Sequence, residues 1–327
     1  GLTDPLGAAY DPKTANAPGG EGYDQITDQK AIFSGDFDGN GTLDMLIRDQ
    51  LTGKVSILFA DKSATPVTVF TEANLSWQIK GTADFNGDGK SDILFHNIAT
   101  SQVYVYLMDG ATRLAGSGSP GSVGDLNYAI QTTGDYNGDG MADILWRHKS
   151  TGAMYMWFMN GAARSSIAYV FTESNPAWVI KESGDFDGDG KSDILFHNST
   201  TGQAYVYLMN GASKRTGGSP GAASLLYTIQ AIGDFDGNGT SDLCWRQTAT
   251  GQTYIWFMDG TTSTSRPFVA TQQNLHHPLL GTLDRNSDAK SDIFWYDPDQ
   301  NKIYYWKMNG AVIDAVSDII FETSPDG

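Results

Sequence analysis

A single cysteine, Cys244, occurs in the chain, so no disulfide can form within it. It sits in the apolar run LCW, the setting of a small buried side chain rather than a reactive thiol. Basic residues are scarce, 21 against 38 acidic, and the formal charge of −17 argues against nucleic acid or an anionic membrane as partner. Glutamate is scarcer still: Glu21, Glu72, Glu173, Glu182 and Glu322 are the full set. The two carboxylates that a glycosidase sets across a cleft therefore have no obvious source. The sequence contains no GxxxxGK[ST] phosphate loop and no HExxH, and its GxSxG string, GGSPG at 217–221, lies in a Gly/Ser/Pro stretch. No apolar run approaches the roughly 18 residues needed to cross a membrane. These absences leave an enzyme little to work with. One class stays open, a polysaccharide lyase whose Arg, Lys, His or Tyr base leaves no local motif.

Repetition is what the chain has in abundance. Nine-residue loops with an acidic or amide side chain at alternate positions recur every 48 to 51 residues. The six copies are DFDGNGTLD (Asp36–Asp44), DFNGDGKSD (Asp84–Asp92), DYNGDGMAD (Asp135–Asp143), DFDGDGKSD (Asp185–Asp193), DFDGNGTSD (Asp234–Asp242) and DRNSDAKSD (Asp284–Asp292). A hard cation such as calcium takes six to eight oxygens from carboxylates, amides, carbonyls and water. Positions 1, 3, 5 and 9, with the carbonyl of position 7, supply such a set from one segment. The predicted ligands are Asp36, Asp38, Asn40, Thr42 and Asp44 in the first loop, and Asp84, Asn86, Asp88, Lys90 and Asp92 in the second. Asp135, Asn137, Asp139, Met141 and Asp143 form the third set, and Asp185, Asp187, Asp189, Lys191 and Asp193 the fourth. Asp234, Asp236, Asn238, Thr240 and Asp242 form the fifth, and Asp284, Asn286, Asp288, Lys290 and Asp292 the sixth. Thr42, Lys90, Met141, Lys191, Thr240 and Lys290 enter through their carbonyls alone.

Glycine at positions 4 and 6 lets the backbone curl in left-handed conformations without a Cβ penalty. The sixth loop has Ser287 and Ala289 there, which predicts a weaker, strained or empty site. Zinc and copper would want His or Cys, which the loops lack, and magnesium wants a stricter octahedron. Asp/Asn/Gly clusters are also ordinary turns, but six copies at one period favour Ca2+, up to six ions per chain. The loops hold 19 of the 38 acidic residues, so six divalent ions would bring −17 to −5. Metal and stability are then coupled. Sites this dense suit calcium near millimolar, hence a secreted or cell-surface protein.

Each unit reads as four strands: one into the loop (WVIKESGDF), one out of it (SDILFHN), a polar turn, a third (AYVYLMNG) and a variable fourth (VTVF, IAYVF, RPFVA). The middle strands are apolar on both faces, as sheets stacked face to face require. Four strands per 50 residues, repeated, predict an all-β fold: a β-propeller of four-stranded antiparallel blades, six favoured and seven possible. The GDFDGDGKSDILFHN-like segments, over residues 25–321, resemble the FG-GAP/VCBS repeat family, the calcium-loop propellers of integrin α-chains and many secreted bacterial proteins. That resemblance implies fold and metal, and leaves activity open. Residues 1–24, rich in Gly, Pro and Ala, are expected to form an irregular arm before a single propeller domain over 25–327, with blades one and six meeting to close the ring.

A second period doubles the first. Units two and four share His96-Asn97 and His197-Asn198, and Gly/Ser/Pro linkers at 116–122 and 217–222. Units one, three and five carry Arg48, Trp146-Arg147 and Trp245-Arg246 instead. Alternating blade interfaces would give pockets in up to three near-equivalent copies, suited to a multivalent ligand such as a cell-surface glycan. Trp77 and Trp178, in connecting segments, join His96, Asn97, Trp146, Arg147, His197, Asn198, Trp245 and Arg246 as candidate ligand-binding residues, because sugars stack on aromatic faces and hydrogen-bond polar neighbours. The plainer alternative makes them interblade core, the role also expected of Trp157, Trp256 and Trp306. A binding module results: glycan recognition first, protein docking second, with neither nucleic acid nor membrane insertion.

Overall fold

A computed structural model describes residues 30–62, 65–300 and 302–318, in which all regular structure is strand. The expected arm at 1–24 lies outside these residues. Six four-stranded antiparallel sheets follow one another. Blade 1 is Lys30–Gly35, Asp44–Asp49, Lys54–Leu58 and Val67–Thr71; blade 2 is Trp77–Ala83, Asp92–Asn97, Gln102–Tyr106 and Gly118–Ser122. Blade 3 is Tyr128–Gly134, Asp143–His148, Ala153–Asn160 and Ala163–Thr172; blade 4 is Trp178–Gly184, Asp193–Asn198, Gln203–Asn210 and Ser213–Ala222. Blade 5 is Tyr227–Gly233, Asp242–Gln247, Gln252–Asp259 and an outer strand broken into Thr262–Ser265 and Phe268–Thr271. Blade 6 is Leu279–Leu283, Asp292–Asp297, Lys302–Asn309 and Val312–Asp318. The Gly/Ser/Pro stretches read as linkers are in fact the outer strands of blades 2 and 4.

The core lies between blades rather than within them. Six apolar clusters occupy the six interfaces. Second strands such as DILFHN are buried on both faces for this reason. Blades 6 and 1 close the ring by packing Leu280, Phe294 and Tyr296 against Ile32, Leu43 and Met45. The Ser34 hydroxyl adds a hydrogen bond to the Leu280 carbonyl at 2.6 Å. Among the described residues each blade supplies its own strands. Inner strands of blades 2 to 6 each contain a bulge, at Lys80, Gln131, Lys181, Gln230 and Leu280, where one extra residue re-aims the chain. Lys80, Lys181, Gln230 and Leu280 line an axial cavity of about 340 Å³, with Glu182 as its one carboxylate.

Candidate functional site

The loops join first to second strands, so all six lie on one end of the ring. Their frame is built twice over. The position-1 aspartate turns its carboxylate inward; in loop 4, Asp185 Oδ1 accepts from the amides of Gly188 (2.7 Å) and Asp189 (3.2 Å), and Oδ2 from Gly190 (2.7 Å). The position-9 aspartate is a clasp. Asp193 Oδ2 accepts from the Phe186 amide at 2.9 Å and Oδ1 from Met209 at 2.7 Å, tying the loop to the third strand. Asp44, Asp92, Asp143, Asp242 and Asp292 repeat this arrangement, and all six are fully buried. Loops are also chained to each other. Position-8 amides donate to the position-1 carbonyl of the preceding loop, as Ser192 does to Asp135 and Ser241 to Asp185, both at 2.6 Å.

The donor set fits a hard divalent cation. Carboxylate oxygens at positions 1, 3 and 9 converge within 4.8 Å in Asp36/Asp38/Asp44, Asp185/Asp187/Asp193 and Asp234/Asp236/Asp242. Loops 2, 3 and 6 put Asn86, Asn137 and Asn286 at position 3, still an oxygen donor. Asp38 Oδ1 and Asp187 Oδ1 are buried without a hydrogen-bond partner, an expense that an ion at the loop centre removes. Arg215 meanwhile spans the outer oxygens of Asp187 and Asp189. In loop 6, Ser287 and Ala289 adopt the left-handed φ of the glycines they replace, 61° and 66°. The curl survives there at a cost of roughly 1–2 kcal/mol per residue.

Burial pushes the clasp carboxyls up: Asp44 to about 8, Asp92, Asp143, Asp193 and Asp242 to about 7, and Asp292 to about 6. With folded values above the unfolded one, the metal-free fold holds more protons than the unfolded chain. That stabilisation is complete below pH 4 and disappears as pH climbs through 6 to 8. A bound cation favours the ionised carboxylates and opposes the trend. The melting-temperature gap between calcium-loaded and chelated protein should therefore widen from pH 5 to pH 8; a gap independent of pH would show that the clasps do not feel the ion.

The opposite face presents a different picture. His96, Asn97, Trp146, His197, Asn198, Trp245 and Arg246 are buried, and Arg147 half-buried, so their expected role at an open surface is corrected. His96 packs edge-on against Trp146 at 5.2 Å between ring centroids, and His197 against Trp245 at 5.4 Å. Asn97 and Asn198 accept amides of their own turns. The arginines staple the next blade. Arg147 donates to the carbonyls of Trp178 and Glu173, Arg48 to those of Trp77 and Glu72, and Arg246 to that of His277. The interblade alternative holds for all these pairs, and Trp157, Trp256 and Trp306 are core as expected.

Trp77 and Trp178 remain half-buried, and Trp77 lines a groove. At the joint of blades 1 and 2, Glu72, Trp77, Phe95, Tyr104, Tyr106 and Arg113 line a cavity of about 220 Å³. Trp77 meets Tyr104 edge-on at 6.4 Å, and the Arg113 guanidinium lies 4.1 Å from the Tyr106 centroid while donating to the Tyr104 hydroxyl at 2.7 Å. The joint of blades 3 and 4 carries the equivalent side chains Glu173, Trp178, Phe196, Tyr205, Tyr207 and Lys214. Trp178 meets Tyr205 at 6.0 Å, and the Lys214 ammonium sits 4.7 Å from the Tyr207 centroid. Glycine lets the outer strand pack directly on these rings: a Cβ on Gly217 would stand 2.6 Å from Tyr207 and 2.9 Å from Tyr205. Sequence reasoning missed the Glu, Tyr and Arg/Lys members. The doubled period that flagged the glycines could have found them.

Fold and loops together define a six-bladed β-propeller with acidic loops on one face. The FG-GAP-like repeat matches residues 84–146, 135–196 and 185–245, each match running from one loop into the next blade; the chain is an FG-GAP-like repeat protein. No curated protein matches it by sequence. Among solved structures, an Agrocybe aegerita lectin described in specific recognition of non-reducing terminal N-acetylglucosamine superposes with a TM-score of 0.60 at 16% identity, over 90% of this chain and 81% of that one. A chain of a nidogen/laminin complex superposes with a TM-score of 0.50 at 12% identity, over 81% of this chain and 90% of that one. At such identities the likeness is one of fold.

Proposed function

We propose that this propeller is a secreted, calcium-stabilised carbohydrate-binding module whose ligands enter the aromatic grooves. One observation carries the reading: the aromatic and charged side chains that line the groove of blades 1 and 2 recur at blades 3 and 4, with Lys214 in the place of Arg113. A sugar's apolar C–H face packs on the accessible part of the Trp77 or Trp178 ring, while Glu72 with Arg113, or Glu173 with Lys214, bind its hydroxyls. Two such sites on one rigid ring give avidity for a multivalent glycan without either being tight. The lectin likeness supports this at the level of fold. Calcium in the acidic loops would hold the opposite face rigid and fix the blade ends. Extracellular modules bind it at roughly 10⁻⁴–10⁻³ M, which is the ground for placing the protein outside the cell.

A glycan array probed in millimolar calcium tests the reading. Selective retention of one glycan class, abolished in a folded Trp77→Ala/Trp178→Ala double variant, is the expected result. Absence of binding by folded, calcium-loaded protein would sink it in favour of protein docking. That second reading has its own observation: Leu75, Leu126, Leu225, Leu226 and Leu275 are exposed in the interblade connections of the groove face.

A further inference from the structure

The joint of blades 5 and 6 should carry a third groove, yet three of its positions differ in one direction. Where the other two grooves have Trp77 and Trp178, it has His277. Asn97 and Asn198 become Asp297, and Ala99 and Thr200 become Asp299. The equivalence is structural. Trp77 pairs with Asn97 and Trp178 with Asn198 across the first two strands, and the register of blade 6 sets His277 opposite Asp297. The turn is also the same: Asp297 Oδ1 accepts the Asp299 amide at 3.0 Å, as Asn97 Oδ1 accepts that of Ala99 at 3.0 Å. Each replacement exchanges a group that binds no metal, or binds one weakly, for a ligand.

Geometry joins the three. One ligand atom each from His277, Asp297 and Asp299 lies within 4.8 Å of the others. His277 Nε2 and Asp297 Oδ1 are 3.5 Å apart. That is long for a charge-assisted hydrogen bond, and it matches the roughly 3.4 Å between two ligands of a tetrahedral ion bound at about 2.0–2.1 Å. The imidazole is already oriented. Asn274 Nδ2 lies 2.8 Å from Nε2, which makes Nε2 an acceptor and leaves the proton on Nδ1, 2.8 Å from the Tyr304 hydroxyl. Gln272 Nε2 holds that hydroxyl in turn at 2.7 Å. A histidine whose far nitrogen is fixed by a neighbour is the usual arrangement behind a metal ligand. Zinc would displace the Asn274 amide from the Nε2 lone pair and join the Asp299 and Gln300 amides that Asp297 Oδ1 accepts at 3.0 Å.

We propose that His277, Asp297 and Asp299 form a zinc site in the third groove, distinct from the all-oxygen loops on the opposite face. One nitrogen and two carboxylate oxygens suit Zn2+ and leave a fourth position open to water or to a ligand's donor atom. Isothermal titration with ZnCl2 in millimolar calcium, which keeps the loops filled, tests it. One zinc per chain is expected, weakened at least tenfold in His277→Trp, about the scale on which even supporting groups of a metal site act. Tryptophan is the residue that two other blades carry at this position, so the variant retains a scaffold the ring already uses. Asp299→Ala, at an exposed turn, should weaken zinc while leaving the melting temperature of the zinc-free protein unchanged. No zinc uptake by wild type, or uptake equal in both variants, would overturn the proposal and leave His277 and Asp297 as a hydrogen-bonded pair.

Discussion

Asp193→Ala is expected to lower stability by roughly 3–5 kcal/mol in chelator, and by more in calcium because a ligand is lost too: it strands two buried amides at a desolvation cost of about 1–3 kcal/mol each and leaves a cavity besides. The amides are those of Phe186 and Met209, at 2.9 and 2.7 Å from the carboxylate. In a domain of this size that corresponds to a fall in melting temperature of roughly 6–12 °C. Asp187→Ala, two positions from the start of the same loop, should behave in the opposite way. Its Oδ1 has no hydrogen-bond partner and its Oδ2 faces only the half-exposed Arg215. Chelated Asp187→Ala protein should therefore melt within a degree or two of wild type, since surface ion pairs contribute about 0–1 kcal/mol. Its calcium-dependent stabilisation, by contrast, should shrink. Thermal unfolding of both variants in calcium and in chelator separates clasp from ligand. If the two variants respond alike, the division of labour within the loop is wrong.

Gly152→Ala should be nearly as damaging. Gly152 closes the turn between the second and third strands of blade 3 with φ of 74°, and a Cβ there would stand 1.9 Å from the Glu173 carbonyl oxygen. That oxygen also accepts Arg147 Nη2 at 2.7 Å, so moving it loosens the staple between blades 3 and 4. The left-handed conformation costs about 1–2 kcal/mol, and the displaced strand end and lost charge-assisted bond add about 1.5–3 kcal/mol more. Gly190→Ala is the control. Its φ is 80°, but nothing lies within 4 Å of the added Cβ, and Ala289 already occupies the same position in loop 6. Only the conformational cost of about 1–2 kcal/mol should register there. Equal losses at the two glycines would contradict the steric argument.

Legibility followed the range of the interactions. Loops, strands and blade count could be read because each is set within ten or so residues: carboxylates at alternate positions curl their own backbone, and SDILFHN is apolar on both faces whatever lies next to it. The pairs Trp146-Arg147 and His96-Asn97 stand out in the sequence, which leaves open whether they bind a ligand or fill the space between blades. Which blade covers a side chain is decided by a residue about 50 positions away, as Trp146 is for His96. Composition misled at GGSPGA for a related reason. Glycine and proline disfavour strands, but the rings of Tyr205 and Tyr207 lie so close that the strand over them can carry no side chain at Gly217, and only the neighbouring strand reveals that need. Aspartates that clasp as well as ligate look identical in sequence to those that only ligate; they differ in whether a backbone amide from beyond the loop arrives to meet them.

The arginine staples and the histidine–tryptophan contacts impose a parity on the ring. Blades 1, 3 and 5 reach forward with arginine to a carbonyl of the next unit, while blades 2 and 4 reach forward with histidine to a tryptophan. At the seam the pattern is met by compensation, with Tyr296 in the histidine's place and Ile47 in the tryptophan's, within one cluster. An odd number of blades would set two surfaces of the same kind against each other somewhere. The pair, rather than the single blade, is thus the smallest piece that can be added or lost with every joint still matched, and three such pairs complete this circle.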